Sequence, residues 1–173
     1  AFMNAGRGNP NWIATHARTV FFQLGQFGLA DSTRRLSDAA RLAGLPHATG
    51  IAARLAAHPA APDARDIVDF AVDRFGFDRD ALVFELVDAI LGDNYPEPVR
   101  MLPRPEAIVR VYVLRAMGVA PRPADDFDLF ATEGASAAIC YALRSLKANR
   151  LLRFGDHIAL GTPIFSPYLE IPE

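Results

Sequence analysis

Apolar residues recur at helical spacing along most of this chain. Val20, Phe21, Leu24, Phe27 and Gly28 share one face, which predicts a short amphipathic helix over residues 18–30. Residues 31–62 are rich in Ala and Arg, broken by Pro46, Pro59 and Pro62, and predict one helix near 50–58. From Asp63 to Phe75, Ile67, Val68, Phe70, Ala71 and Val72 surround an apolar side, and Gly76 is the stop. The clearest helix follows Asp78, a natural cap. Leu82, Val83, Leu86, Val87, Ile90 and Leu91 form its stripe, and Gly92 ends it. Residues 105–117 predict a further helix, with Pro105 suited to its first turn. A strand at 127–132, a helix from Ser136 to Arg150 and a strand from His157 to Leu160 complete the pattern, while residues 1–17, rich in Gly, Asn and Pro, read as an extended arm.

The predicted class is therefore α/β, mostly helical, with a strand–helix–strand unit at the C-terminal end. Nothing in the pattern divides it into two domains: residues 1–173 read as one partial domain, with the arm at 1–17, a helical region at 18–117 and the start of a sheet at 127–173. Two short strands cannot make a self-sufficient parallel sheet. The expectation is that residues beyond 173, or another chain, finish it. The absence of an initiator Met also makes both ends look cut.

Composition narrows the function classes. Apolar residues are 51% and charged residues 22%, which suits a soluble globular protein. With a net charge of −2, the chain has no electrostatic attraction for nucleic acid or an anionic membrane. No apolar run approaches the roughly 20 residues of a membrane span, and no signal-peptide pattern opens the chain. The single cysteine, Cys140, excludes an intrachain disulfide and fits a reducing compartment, so the expected location is cytoplasmic. Its neighbours Ala137, Ala138, Ile139, Ala142 and Leu143 make it a small core residue rather than a nucleophile. Lys147 is the one lysine, so chemistry that needs a lysine amine must use it or look elsewhere.

Chemistry concentrates around Gly134-Ala135-Ser136, where the predicted strand hands over to a helix. Small residues let backbone approach a ligand, and the free amides of a first helical turn attract phosphate. The Ser136 hydroxyl either adds a donor or simply caps the helix. It is neither a Walker loop, since no Gly-Lys-Ser/Thr follows, nor a three-glycine dinucleotide fingerprint. Phe165 follows the second strand in Thr162-Pro163-Ile164-Phe165, placed either to stack on a planar cofactor or to be buried as an ordinary core ring. Arg7 and Gly8 lie in the arm, Arg7 as a fork for a carboxylate or as a solvated side chain. Tyr95 offers a phenol before a helix, or packs. The four histidines lack metal-ligand spacing, no metal site is expected, and Asp63, Asp66, Asp69 and Asp73 read as a solvated helix face.

Together these segments resemble one family. The arm Asn4-Ala-Gly-Arg-Gly-Asn-Pro-Asn-Trp-Ile-Ala-Thr15, the block Phe21-Phe-Gln-Leu-Gly-Gln-Phe-Gly-Leu29, the run Phe127 to Tyr141 and the block Ile158 to Pro172 are similar to aspartate 4-decarboxylase, the bifunctional aspartate aminotransferase and L-aspartate beta-decarboxylase. The resemblance covers essentially the whole chain and implies its N-terminal part. It implies an incomplete large domain of a fold-type I transferase dependent on pyridoxal 5′-phosphate (PLP). Gly134, Ala135 and Ser136 would match the turn that cradles the phosphate. Phe165 would match the aromatic stacked on the pyridine ring, Tyr95 the tyrosine that reaches the phosphate of a neighbouring subunit's cofactor, and Arg7 and Gly8 the arm that closes over substrate.

The implied reaction converts L-aspartate to L-alanine and CO2, with transamination as a side activity, in a soluble homo-oligomer. It needs a lysine as imine partner, a carboxylate at the pyridine nitrogen and an arginine for the substrate α-carboxylate. In the family those groups come later than residue 173, so no catalytic residue is expected here. Lys147 is no substitute: it lies 11 residues along the predicted helix from Ser136, about 16 Å at the helical rise. The chain alone is expected to be inactive. The competing readings are a non-enzymatic truncated homologue used for assembly, and part of a plain aspartate aminotransferase.

Overall fold

The computed structural model describes residues 13–36, 44–92, 99–120 and 127–172. Contacts divide them into two units, one within 12–129 and one within 130–173. The first holds α1 (Thr15–Arg34), α2 (Ile51–Ala57), α3 (Pro62–Phe75), α4 (Arg79–Leu91) and α5 (Pro103–Ala116). The second holds α6 (Ala135–Ala148) and α7 (Pro167–Glu170).

The helical unit is built on the apolar stripes. Val20, Leu24 and Phe27 of α1, Ile51 and Leu55 of α2, Val68 of α3, and Leu82, Val83 and Val87 of α4 form one buried core. Burying each such side chain contributes roughly 1.5–3 kcal/mol before ordering costs. Helix α1 packs on α3 and α4, and α4 also packs on α2. Glycine permits the α1–α4 approach: a Cβ at Gly28 would lie 3.1 Å from Val87 Cγ1, and one at Gly25 would lie 3.3 Å from Ile90 Cγ2.

The helix ends agree with the sequence. Asp78 accepts from the Ala81 amide at 2.8 Å, and Gly76 and Gly92 close α3 and α4 at φ 68° and 86°. Asp80 caps a different helix: it accepts from the Gly50 amide at 2.7 Å and the Ala52 amide at 3.0 Å at the head of α2. Those two amides hold its carboxyl below the ordinary range.

Helix α1 extends beyond its predicted bounds at both ends, and Asp31 lies in the added C-terminal turn. Its side chain is buried within the helix and is met by Arg54 through Nε at 2.8 Å and Nη2 at 3.1 Å, and by Arg34 one turn on. Burial alone would push the Asp31 carboxyl up, but the Arg54 and Arg34 hydrogen bonds and charges outweigh it and hold it low. Arg54 also donates to the carbonyls of His47 at 2.6 Å and Thr49 at 2.7 Å, so one guanidinium ties α1, α2 and the connecting loop.

The expected strands differ from what is found. Among the described residues, neither 127–132 nor 157–160 carries strand pairing. A strand exists only with a ladder partner, and these segments do not pair with each other. The molecule is mostly helical. Asp66, Asp69 and Asp73 are exposed as expected, but Asp63 is half-buried and accepts from Gln23 Nε2 at 2.6 Å.

Candidate functional site: the glycine turn at the head of α6

Gly134 precedes α6 with φ 126° and ψ 173°. That extended positive-φ conformation is essentially restricted to glycine. The first helical hydrogen bond runs from the Ala138 amide to the Gly134 carbonyl at 3.0 Å. The amides of Ala135, Ser136 and Ala137 therefore precede the helical ladder, and no side chain caps them. The Thr132 hydroxyl donates to the same Gly134 carbonyl at 3.0 Å, which steadies the turn from the outside.

Ser136 is not the cap: Gly134 occupies that position and Ser136 lies inside the first turn. Its side chain is exposed, and its hydroxyl has no hydrogen bond among the described residues. A Cβ placed on Gly134 would meet nothing within 4 Å, so the turn is limited by backbone conformation and not by crowding. Exposed amides, a free hydroxyl and open space at a helix start fit a phosphate group.

Phe165 precedes α7, which packs on α6. Its ring meets Tyr168 edge-on, centroids 5.5 Å apart, and is 44% exposed, so the reading of an ordinary buried phenylalanine does not hold. Cys140 is half-buried on α6, less enclosed than its apolar neighbours suggest. Lys147 is exposed near the far end of α6. A groove of about 760 Å³ runs beside α6, lined by Phe130, Thr132, Glu133, Tyr141 and Ser145 among others. Neither Gly134, Ser136 nor Phe165 lines it. Tyr95, Arg7 and Gly8 lie outside the described residues.

The described residues of the second unit form no closed core. None of the described residues from 130 to 172 is buried. Phe130 is 68% exposed and Leu151 74%, and Phe154 is entirely exposed. Exposed apolar surface of this extent is uncommon on a monomeric soluble domain. Among the described residues no group of His, Cys, Asp and Glu is placed to hold a metal ion, and no helix is long and apolar enough to cross a membrane.

The chain is 42% identical over 179 residues to a protein of Pseudomonas sp called bifunctional aspartate aminotransferase and L-aspartate beta-decarboxylase, a match covering 99% of this chain. The resemblance drawn from the sequence is borne out. The chain spans about a third (34%) of that relative's length. No family model matches the chain.

Proposed function

We propose that this chain is the N-terminal part of a PLP-dependent aspartate 4-decarboxylase. The complete enzyme converts L-aspartate to L-alanine and CO2 and transaminates aspartate as a side activity. The observation that carries this reading is the 42% identity along 99% of the chain to the bifunctional Pseudomonas enzyme.

In this reading the Ala135, Ser136 and Ala137 amides and the Ser136 hydroxyl hold the cofactor's phosphate, with the positive end of the α6 dipole behind them. Phe165 stacks on the pyridine ring. Its present exposure and edge-on contact with Tyr168 are compatible with one ring face taking a planar partner. Tyr95, Arg7 and Gly8 are assigned to the neighbouring phosphate and to the substrate carboxylate by resemblance. The bound cofactor supplies an electron sink for carbanion chemistry. Residues 127–132 and 157–160 become strands of the cofactor-binding sheet once partner strands supply their ladders. The exposed Phe130, Leu151 and Phe154 support this, since a fold-type I large domain buries such a face.

The 173 residues alone are inactive in this account, because Lys147 is exposed at the wrong end of α6. The complete protein works in the cytoplasm as a homo-oligomer. The deciding experiment supplies L-aspartate and PLP to the protein at its natural length and separates the products. L-alanine with CO2 supports the reading. Oxaloacetate formed only with a keto-acid acceptor makes it a plain aminotransferase, and no turnover removes the enzymatic reading.

A further inference from the structure

We propose that Glu106 and Arg110 of α5 are positioning residues that act as a one-residue substitute strand for the segment leading to the glycine turn. The two lie one helical turn apart and pair at 3.0 Å, Arg110 Nη2 to Glu106 Oε1. Arg110 Nη1 also donates to the carbonyl of Phe127, and its guanidinium carbon stands 4.8 Å from the centre of the Phe127 ring. The Leu129 amide donates to Glu106 Oε1 at 3.4 Å.

The carbonyl of one residue and the amide two residues on face the same side of an extended segment. In a parallel ladder, a single residue of the neighbouring strand fills both, donating to the first and accepting from the second. Here a guanidinium is the donor and a carboxylate the acceptor. Burial alternates as it does along a strand: Phe127 and Leu129 are half-buried, Asp128 and Phe130 exposed. Arg100 braces the arrangement, 3.0 Å from Asp128 and 3.7 Å from Glu106. The Glu106 side chain is only 15% exposed and that of Arg110 28%, so the pair is less screened than an open surface bridge.

The pair closes one edge of residues 127–129 to any other strand and leaves the opposite edge for pairing. It therefore fixes which side of this segment joins the sheet. This rests on the reading above, in which 127–132 is a sheet strand followed by the phosphate turn at Gly134.

Amide hydrogen exchange on the 173-residue chain is the first test. The Leu129 amide is expected to be protected, and Glu106→Ala to speed its exchange at least about tenfold, as loss of a charge-assisted hydrogen bond should. Glu106→Gln keeps an acceptor and should restore most of the protection, which a merely structural role would not require. Arg110→Met should release Glu106 and lower protection too, which covers the case in which Glu106→Ala does not fold. Amides of Val83 and Val87 in α4 serve as the unchanged control. An unprotected Leu129 amide in the unaltered chain, or no change in Glu106→Ala, overturns the proposal.

The second test measures PLP retention by the natural-length protein. Weakening by about tenfold in Glu106→Ala, with recovery in Glu106→Gln, supports the positioning role, the size following from the same single hydrogen bond. Retention unaltered in Glu106→Ala overturns it. If the unaltered protein retains no PLP, the functional reading fails, and the Leu129 exchange still decides the clamp.

Discussion

Replacing Asp31 by Ala tests the helical unit at its most charged buried point. The Asp31 side chain is fully buried and its main partner Arg54 is 22% exposed. Removal leaves Arg54 holding the His47 and Thr49 carbonyls without its buried carboxylate partner, beside Phe27 and His58. Breaking a buried pair from one side costs about 3–5 kcal/mol, a large part of the roughly 5–15 kcal/mol that stabilises a whole domain. At about 4–8 °C per kcal/mol for a unit of this size, the melting temperature should fall by more than about 12 °C. Urea unfolding of the 173-residue chain at neutral pH, followed by far-ultraviolet circular dichroism, measures the change. Replacing both partners by apolar residues, Asp31→Leu with Arg54→Met, should recover much of the loss. The pH dependence carries a sign. Asp31 titrates below its ordinary 3.8 when folded, so its contribution is complete above that value and is lost as pH falls through the folded value. The Asp31→Ala variant should therefore show a flatter acid limb. A loss under about 1 kcal/mol, the size of an exposed pair, would refute the buried-clasp account.

Gly28→Ala should destabilise by about 1–2 kcal/mol despite the better helix propensity of Ala, because its Cβ would press on the fully buried Val87 from 3.1 Å. Thermal melts decide it, and a stabilised variant would show that α1 and α4 can part. Asp80→Ala should release the Gly50 and Ala52 amides to faster exchange and cost about 1–2 kcal/mol, since the cap comes from another helix. Adding PLP to the 173-residue chain should give no lysine-linked absorbance band. A stoichiometric pyridoxyl group on Lys147 after borohydride reduction would contradict that.

What the sequence disclosed follows the range of each interaction. Helix α4 was legible from end to end because its cap, stripe and stop are all local: Asp78, the Leu82-to-Leu91 face and Gly92. Helix α1 runs past Ala30 through Asp31, a poor interior residue whose partner Arg54 is distant in sequence. The same distance hid Asp80 as the cap of α2. The Gly134 turn was visible as a need for small residues, and the structure supplies the positive φ that makes glycine the fitting choice. Residues 127–130 show a strand's alternation of burial without a strand's ladder, because periodicity records faces and not partners. A signal for the α5 clamp was present in the sequence: Glu106 and Arg110 stand four apart, the spacing of a helical ion pair. What that spacing did not reveal was the backbone it holds.

The turn at Gly134 is proposed to hold a cofactor phosphate, and equilibrium dialysis of the natural-length protein decides it. PLP should bind far more tightly than pyridoxal, which lacks the phosphate. Gly134→Ala, strained by about 1–3 kcal/mol at φ 126°, should erase most of that difference while leaving the helical unit's unfolding unchanged. Equal binding of the two compounds, or a Gly134→Ala protein that still discriminates between them, would contradict the account.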